Sequence, residues 1–224
     1  DWDKKSLSWA MCFFPVVGLF IALLLGAWLP LCLLLGLGTF LRAGGALVLP
    51  IAASGAIHLD GFCDTSDALG SHQSRERKLE ILKDSHTGAF AIICCGLYLV
   101  FFFAVWCEAV PEGRTLLVLA LGPVLSRSLS GLAAVSWPKA RGSGLLATFT
   151  GPMDAARARV VLAVWAIAAA AAMVFLSTWT GIGALAGAAL ACVYYVATAK
   201  RQFGGVTGDL AGFFLQLCAL GMVL

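Results

Sequence analysis

Three aspartates, Asp60, Asp64 and Asp67, stand four and three residues apart in the run His58-Leu59-Asp60-Gly61-Phe62-Cys63-Asp64-Thr65-Ser66-Asp67. No lysine or arginine follows until Arg75. On a helix, positions i, i+4 and i+7 point within roughly 60° of one another and rise over about 10 Å, so the spacing predicts one face with three negative charges. Like charges so placed repel, and a hard divalent cation with oxygen ligands, such as Mg²⁺, relieves the repulsion while also engaging substrate phosphates. The plainer reading is a solvated first helical turn, where aspartates favour the helix N-terminus. Against it, the trio directly continues an apolar stretch, and carboxylates at such a boundary are more often functional than decorative. His58 reads either as a base or ligand or as a hydrogen-bonded structural histidine.

Further along, Lys83, Asp84 and Ser85 join Arg75, Arg77 and Thr87 just before another apolar stretch. Cations, a carboxylate and hydroxyls together suit a phosphate site, although a snorkelling basic helix end accounts for Arg77 and Lys78 equally well. Arg127 is the one basic residue deep in an apolar run. An arginine there must face the bundle interior, either to pair with a carboxylate or to grip a phosphate through its planar fork. The stretch Gly204-Gly205-Val206-Thr207-Gly208-Asp209 precedes a last apolar helix. Its backbone N–H groups at Thr207 and Gly208 could bind an anion, while Asp209 could cap the helix or join the metal; a plain turn is the alternative. Together these groups fit metal-assisted transfer of a phosphoryl-type group.

The elements that must position them are helices in a bilayer. Of 224 residues, 61% are hydrophobic and 12% charged, with a mean hydropathy of +0.94; a soluble domain carries about 25% charge. Open sheets cannot satisfy their backbone in lipid and the alternating pattern of an outer-membrane barrel is missing, so the fold is all-α, a polytopic helical bundle forming one domain over 1–224. About seven spans are expected: Trp9 to Leu35, one that follows the Gly36 to Gly45 turn and runs to Leu59, Thr87 to Val110, Leu116 to Val135, Val160 to Leu176, one ending near Ala199 after a turn at Thr178 to Gly181, and a short or tilted Leu210 to Leu224. The first is too long for a signal-peptide core. Seven of the eight cysteines lie in or beside these runs and no C-x-x-C pair occurs, so they read as small apolar fillers. A net charge of +3, scattered along the chain, gives no reason to expect a nucleic-acid partner. The bilayer is the expected partner, and a homo-oligomer is permitted without being required.

Basic residues test this topology. The N-terminal tail and the polar segments Asp60 to His86, Trp137 to Arg159 and Lys200 to Asp209 hold Lys4, Lys5, Arg75, Arg77, Lys78, Lys83, Lys139, Arg141, Arg157, Arg159, Lys200 and Arg201, against Arg42 and Arg114 on the other side. The asymmetry puts the polar segments, and hence the catalytic residues, on the cytoplasmic face.

The chain resembles the cobalamin synthase family. The likeness rests on His58-Leu59-Asp60-Gly61 with Asp64-Thr65-x-Asp67, on Glu80-Ile81-Leu82-Lys83-Asp84-Ser85 with Gly88, and on Ser126-Arg127. It continues through Ala140-Arg141 with Gly144-Leu145 and through Gly204-Gly205-x-Thr207-Gly208-Asp209 with Gly212. Gln216 and Ala219 stand where many relatives carry glutamates, and His86-Thr87 replaces a commonly basic and aliphatic pair.

The resemblance implies a multi-pass enzyme of the prokaryotic cell (inner) membrane, with its active site facing the cytoplasm. Its substrates would be adenosylcobinamide-GDP and α-ribazole or its 5′-phosphate, and its products adenosylcobalamin or its phosphate plus GMP. It also implies Mg²⁺ held by Asp60, Asp64, Asp67 and Asp84, and electrostatic help from Arg127 and Arg141. Asp67, Asp84 and then His58 are the candidates for proton acceptor. Two other classes are a CDP-alcohol phosphotransferase-like lipid enzyme and a cation transporter. The first would carry Asp-Gly-x-x-Ala-Arg, which is absent here, and the second would place carboxylates near the midplane on broken helices. The topology is open to direct test: single cysteines at Ser74, Ser143 and Gln202 in a cysteine-free background should all label from the cytoplasmic side only, and labelling of any one from the other side overturns the span assignment.

Overall fold

The structure, a computed structural model, describes residues 9–109, 113–151 and 154–224; the expected turn at Pro111-Glu112, the end of the third span at Val110 and the tail with Lys4 and Lys5 lie outside the described residues. Ten helices follow in chain order: α1 (Phe14–Leu34), entered through a 3₁₀ turn, α2 (Thr39–Ala53), α3 (Ile57–Gly70), α4 (Arg75–Ile81), α5 (Ala89–Ala109), α6 (Gly113–Ser136), α7 (Leu145–Thr150), α8 (Ala155–Leu176), α9 (Thr178–Thr198) and α10 (Gly208–Val223). A π-helical turn, Ala199–Phe203, extends α9.

Five runs among the described residues are long and apolar enough to cross a bilayer: Met11–Leu34, Ala89–Ala109, Gly113–Ser136, Ala155–Leu176 and Thr178–Phe203. Their apolar side chains point outward as lipid demands; Phe175 is 88% and Trp179 85% exposed. Helix α6 is the centre, with 72% of its apolar window buried against 17 to 33% in the other four. It packs against α1, α8 and α10. Small residues permit the approach: a Cβ on Gly18 of α1 would fall 2.5 Å from the carbonyl oxygen of Pro123 in α6.

The expected straight span ending at Leu59 is instead broken. Helices α2 and α3 meet at 91°, because Gly55 (φ 61°) and Ala56 (φ 59°) are both left-handed. For alanine that conformation costs on the order of 1 kcal/mol, so packing must hold the bend in place. Counting the bent pair as one crossing raises the total to six. The expected seventh, α10, is apolar but only 16 residues long, about 24 Å and short of a hydrocarbon core near 30 Å.

The three polar segments meet at one end of the bundle. The Lys78 ammonium donates to Gln202 Oε1 at 2.5 Å. Gly204, at φ 77°, lies close under the Arg75 guanidinium. The loop after α6 pairs with the loop before α10 as an isolated parallel bridge, Lys139 to Val206, in which Ala140 N donates to Val206 O at 3.0 Å and Val206 N to Pro138 O at 2.9 Å. A Cβ on Gly205 would fall 2.5 Å from Pro138 O, so only glycine allows the two chains this close. Ser74 caps α4 by accepting from Arg77 N, and Trp9 stacks under Arg157 at 4.7 Å, tying the start of α8 to the N-terminal segment.

Where α9 crosses α10, a Cβ on Gly187 would overlap the Gly221 carbonyl, and one on Gly221 would lie a tight 3.0 Å from Gly187 O. Gly187→Leu should therefore push the helices apart and destabilise the protein by about 1–3 kcal/mol. The check is the unfolding midpoint of detergent-solubilised protein, and an unchanged midpoint would contradict the crossing.

Candidate active site

Helices α3 and α10 touch backbone to backbone. A Cβ on Gly61 would lie 2.7 Å from Asp209 O, and one on Gly212 would lie 2.9 Å from His58 O. Beside this crossing the Phe62 ring packs 4.8 Å from Tyr98 and stacks 5.3 Å from Phe213, locking α3 between α5 and α10. Past the bend, the aspartates of α3 lie outside the five spans, and the crossing brings them to Asp209 in the first turn of α10.

The charges there feel one another. Burial pushes the Asp64 carboxyl up to about 6, and Asp60, Asp209 and Asp67 push the same way while Arg141 opposes them. Asp209 is likewise raised, first by burial, with Arg141 pulling it back. The Arg141 guanidinium donates to Asp209 Oδ2 at 2.8 Å, both side chains being mostly buried, at 18% and 23% exposure. The carboxylates outnumber the cations beside them, Arg141 and Lys139.

Asp67 reaches this cluster but also serves the fold. Its Oδ1 accepts from Ala91 N at 3.4 Å in the first turn of α5, and its carboxylate fills the space that a side chain on Gly88 would need. Asp84 is placed elsewhere, exposed in the loop between α4 and α5. It accepts from His86 N at 3.0 Å and pairs with His86 Nδ1 at 2.7 Å, bonds that hold its carboxyl below the usual range. Lys83 and Ser85 are exposed on the same loop. Thus Asp60, Asp64, Asp67, Asp209 and Arg141 are brought together, while Asp84, Lys83 and Ser85 stand on a neighbouring loop.

Two concavities adjoin the cluster. A groove of about 580 Å³ has His58, Asp60 and Asp209 on its wall, with Phe14, Val17 and Leu215 on its apolar side. A recess of about 30 Å³ lies between Lys139, Arg141, Ser143, Thr207 and Gly208. Thr207 caps α10 by accepting from Leu210 N at 3.1 Å, so the positive end of that helix opens into the recess. Arg141 Nη1 is buried with no partner. Lys139 was legible in the sequence only as a topology charge; its neighbour Arg141 was the available signal. Arg127 is held apart from this face, buried within α6 at 5% exposure, with His58 and Arg127 sharing an inner cavity.

Comparison with known proteins identifies the family. The profile of the family described as cobalamin-5-phosphate synthase matches residues 1–224. This chain belongs to the cobalamin-5-phosphate synthase family. A protein of Lachnoclostridium phytofermentans named adenosylcobinamide-GDP ribazoletransferase is 39% identical over 220 residues, covering 98% of this chain and 84% of the relative. Proteins of the same name from Pseudomonas savastanoi pv. phaseolicola and Clostridium perfringens SM101 are 34% and 31% identical. They cover 98% and 97% of this chain and 88% and 86% of their own lengths. No solved structure matches.

The Arg141–Asp209 pair can be measured. Removing one partner leaves a largely buried charge or polar group alone, so Arg141→Met and Asp209→Asn should each destabilise the protein. The double variant should lose less than the sum, with a coupling of about 0.5–3 kcal/mol in a double-mutant cycle. Strict additivity would show that the pair carries no interaction.

Proposed function

We propose that this chain is an adenosylcobinamide-GDP ribazoletransferase, joining α-ribazole or its 5′-phosphate to adenosylcobinamide-GDP with release of GMP. The observation that carries the reading is the cluster of Asp60, Asp64, Asp209 and Arg141 beside a helix-capped recess, in a chain matched along its whole length by proteins of that name. Neither a CDP-alcohol phosphotransferase nor a transporter draws support from those relatives.

In the reaction a hydroxyl of the ribazole attacks the phosphorus nearer the cobinamide. A new P–O bond forms, the bridging P–O bond to GMP breaks, and the hydroxyl proton passes to a base. Lys139, Arg141, Ser143 and the N-terminal turn of α10 would hold phosphate oxygens in the recess, placing the pyrophosphate against the aspartate face. The groove would take the less polar body of a substrate along Phe14, Val17 and Leu215. His58 is the acid–base candidate on the groove wall, near Asp60 and Asp209.

Mg²⁺ fits this donor set. Among the described residues no three His, Cys, Asp or Glu groups close into a cage, but Mg²⁺ commonly takes one or two carboxylates, waters and substrate phosphates rather than a full protein cage. Asp60 and Asp64 would hold it, with Asp67 and Asp209 adding negative field; when bound, it would stabilise charge on the pyrophosphate and the departing GMP. Asp84, paired with His86, would enter only if its loop moved inward.

Purified protein supplied with adenosylcobinamide-GDP and α-ribazole should release GMP in a Mg²⁺-dependent way. Asp60→Asn and Asp64→Asn should keep the protein folded yet raise the Mg²⁺ requirement or abolish release. Their double variant should be little worse than either single, because residues that act as a unit are non-additive. Asp154→Asn is the control, since Asp154 caps α8 and pairs with Arg157 on that exposed helix start. Wild-type turnover and Mg²⁺ dependence in both motif variants would sink the metal assignment, and absence of GMP release from the wild type would sink the reaction.

A further inference from the structure

Arg127 is 5% exposed near the middle of the central helix, yet among the described residues no carboxylate pairs with it. Among the described residues its one hydrogen bond is a long one, Nη1 to Pro123 O of its own helix at 3.4 Å, and its Nε is buried without a partner there. A guanidinium so placed carries a desolvation cost of several kcal/mol that one carbonyl does not offset.

It lines a cavity of about 60 Å³ between α2, α3, α5, α6 and α10. Two further side chains on that wall, Trp106 and Gln216, carry N–H groups. Trp106 Nε1 is a second buried N–H without an acceptor. Gln216 accepts from the Tyr98 hydroxyl at 2.7 Å through its carbonyl oxygen, which leaves its –NH₂ group for the cavity. The hydroxyl protons of Ser54 and Ser126 go to backbone carbonyls of their own helices, and neither oxygen accepts from Arg127. His58 completes the polar lining, which contains no Asp or Glu.

We propose that this cavity binds a small inorganic anion of the halide class, chloride in solution, as the counter-ion of Arg127. The volume accommodates a one-atom anion with a water beside it. Water alone satisfies donors but leaves the positive charge uncompensated in a low-dielectric interior. The anion links α6 through Arg127 to α3 and α10 through His58 and Gln216, directly behind the crossing that carries the aspartates. It is separate from the proposed phosphate recess, which lies between Lys139, Arg141 and α10.

The test is a stability titration. Purified full-length protein in detergent is dialysed into sodium gluconate and titrated with sodium chloride at constant ionic strength. The midpoint of unfolding should rise by roughly 2–4 °C and saturate. Bromide should substitute, and crystals grown in it should show an anomalous peak beside Arg127. Gln216→Glu, and separately Ala219→Glu, place a carboxylate on the same wall. Each should begin at the raised midpoint in gluconate and lose the halide response. Absence of any halide effect on the wild type overturns the proposal in favour of a water-filled cavity. A response that survives undiminished in both glutamate variants overturns it by putting the ion elsewhere. A shift produced by inorganic phosphate or GDP but not by halide also overturns it, returning Arg127 to phosphate binding. If neither glutamate variant folds, the wild-type titration and the bromide peak decide.

Discussion

The contact on which this structure depends is the side-by-side passage of two bare backbones, Gly61 of α3 against Asp209 and Gly212 of α10 against His58. Dispersion and weak C–H···O contacts at such a crossing are individually small. The crossing nevertheless decides where every charge at that end goes. A methyl group at either glycine would hold the helices apart, and Asp60 and Asp64 would no longer share a field with Asp209 and Arg141. The aromatic set of Phe62, Tyr98 and Phe213 then makes the approach rigid from the side.

Around that crossing the rest of the chain settles a conflict between lipid and charge. Lipid rewards an outer surface as apolar as Phe175 and Trp179, while the site needs carboxylates, a guanidinium and open helix termini. Gathering the polar segments at one end separates the two demands. Within that end the loops are fastened by short-range polar contacts, the Lys139 to Val206 bridge and the Lys78 to Gln202 bond. The recess beside Arg141 therefore stands on loops as well as on a helix.

The long spans were legible because a bilayer imposes one length and one composition on a crossing helix, and α1, α5, α6, α8 and α9 meet both. The sharing of one face by Asp60, Asp64 and Asp67 followed from helical spacing for the same local reason. Non-local and conformational features were not. The elbow at Gly55-Ala56 depends on an alanine held left-handed, which no residue type announces. The partnership of Arg141 with Asp209 joins segments far apart in sequence. The loop position of Asp84 turns on a two-residue bond to His86. Lys139 looked like one more topology charge until its loop was seen beside α10.

The elbow also bears on how the protein comes to be built. Machinery that inserts helices by hydropathy meets α2 and the apolar start of α3 as one continuous stretch. What holds α3 across the end of the bundle is α5 together with α10, and α10 is synthesised long afterwards. Until α10 is in place, the acidic face of α3 lacks Asp209 and the backbone that Gly61 packs against. The site is therefore complete only when α10 docks against α3.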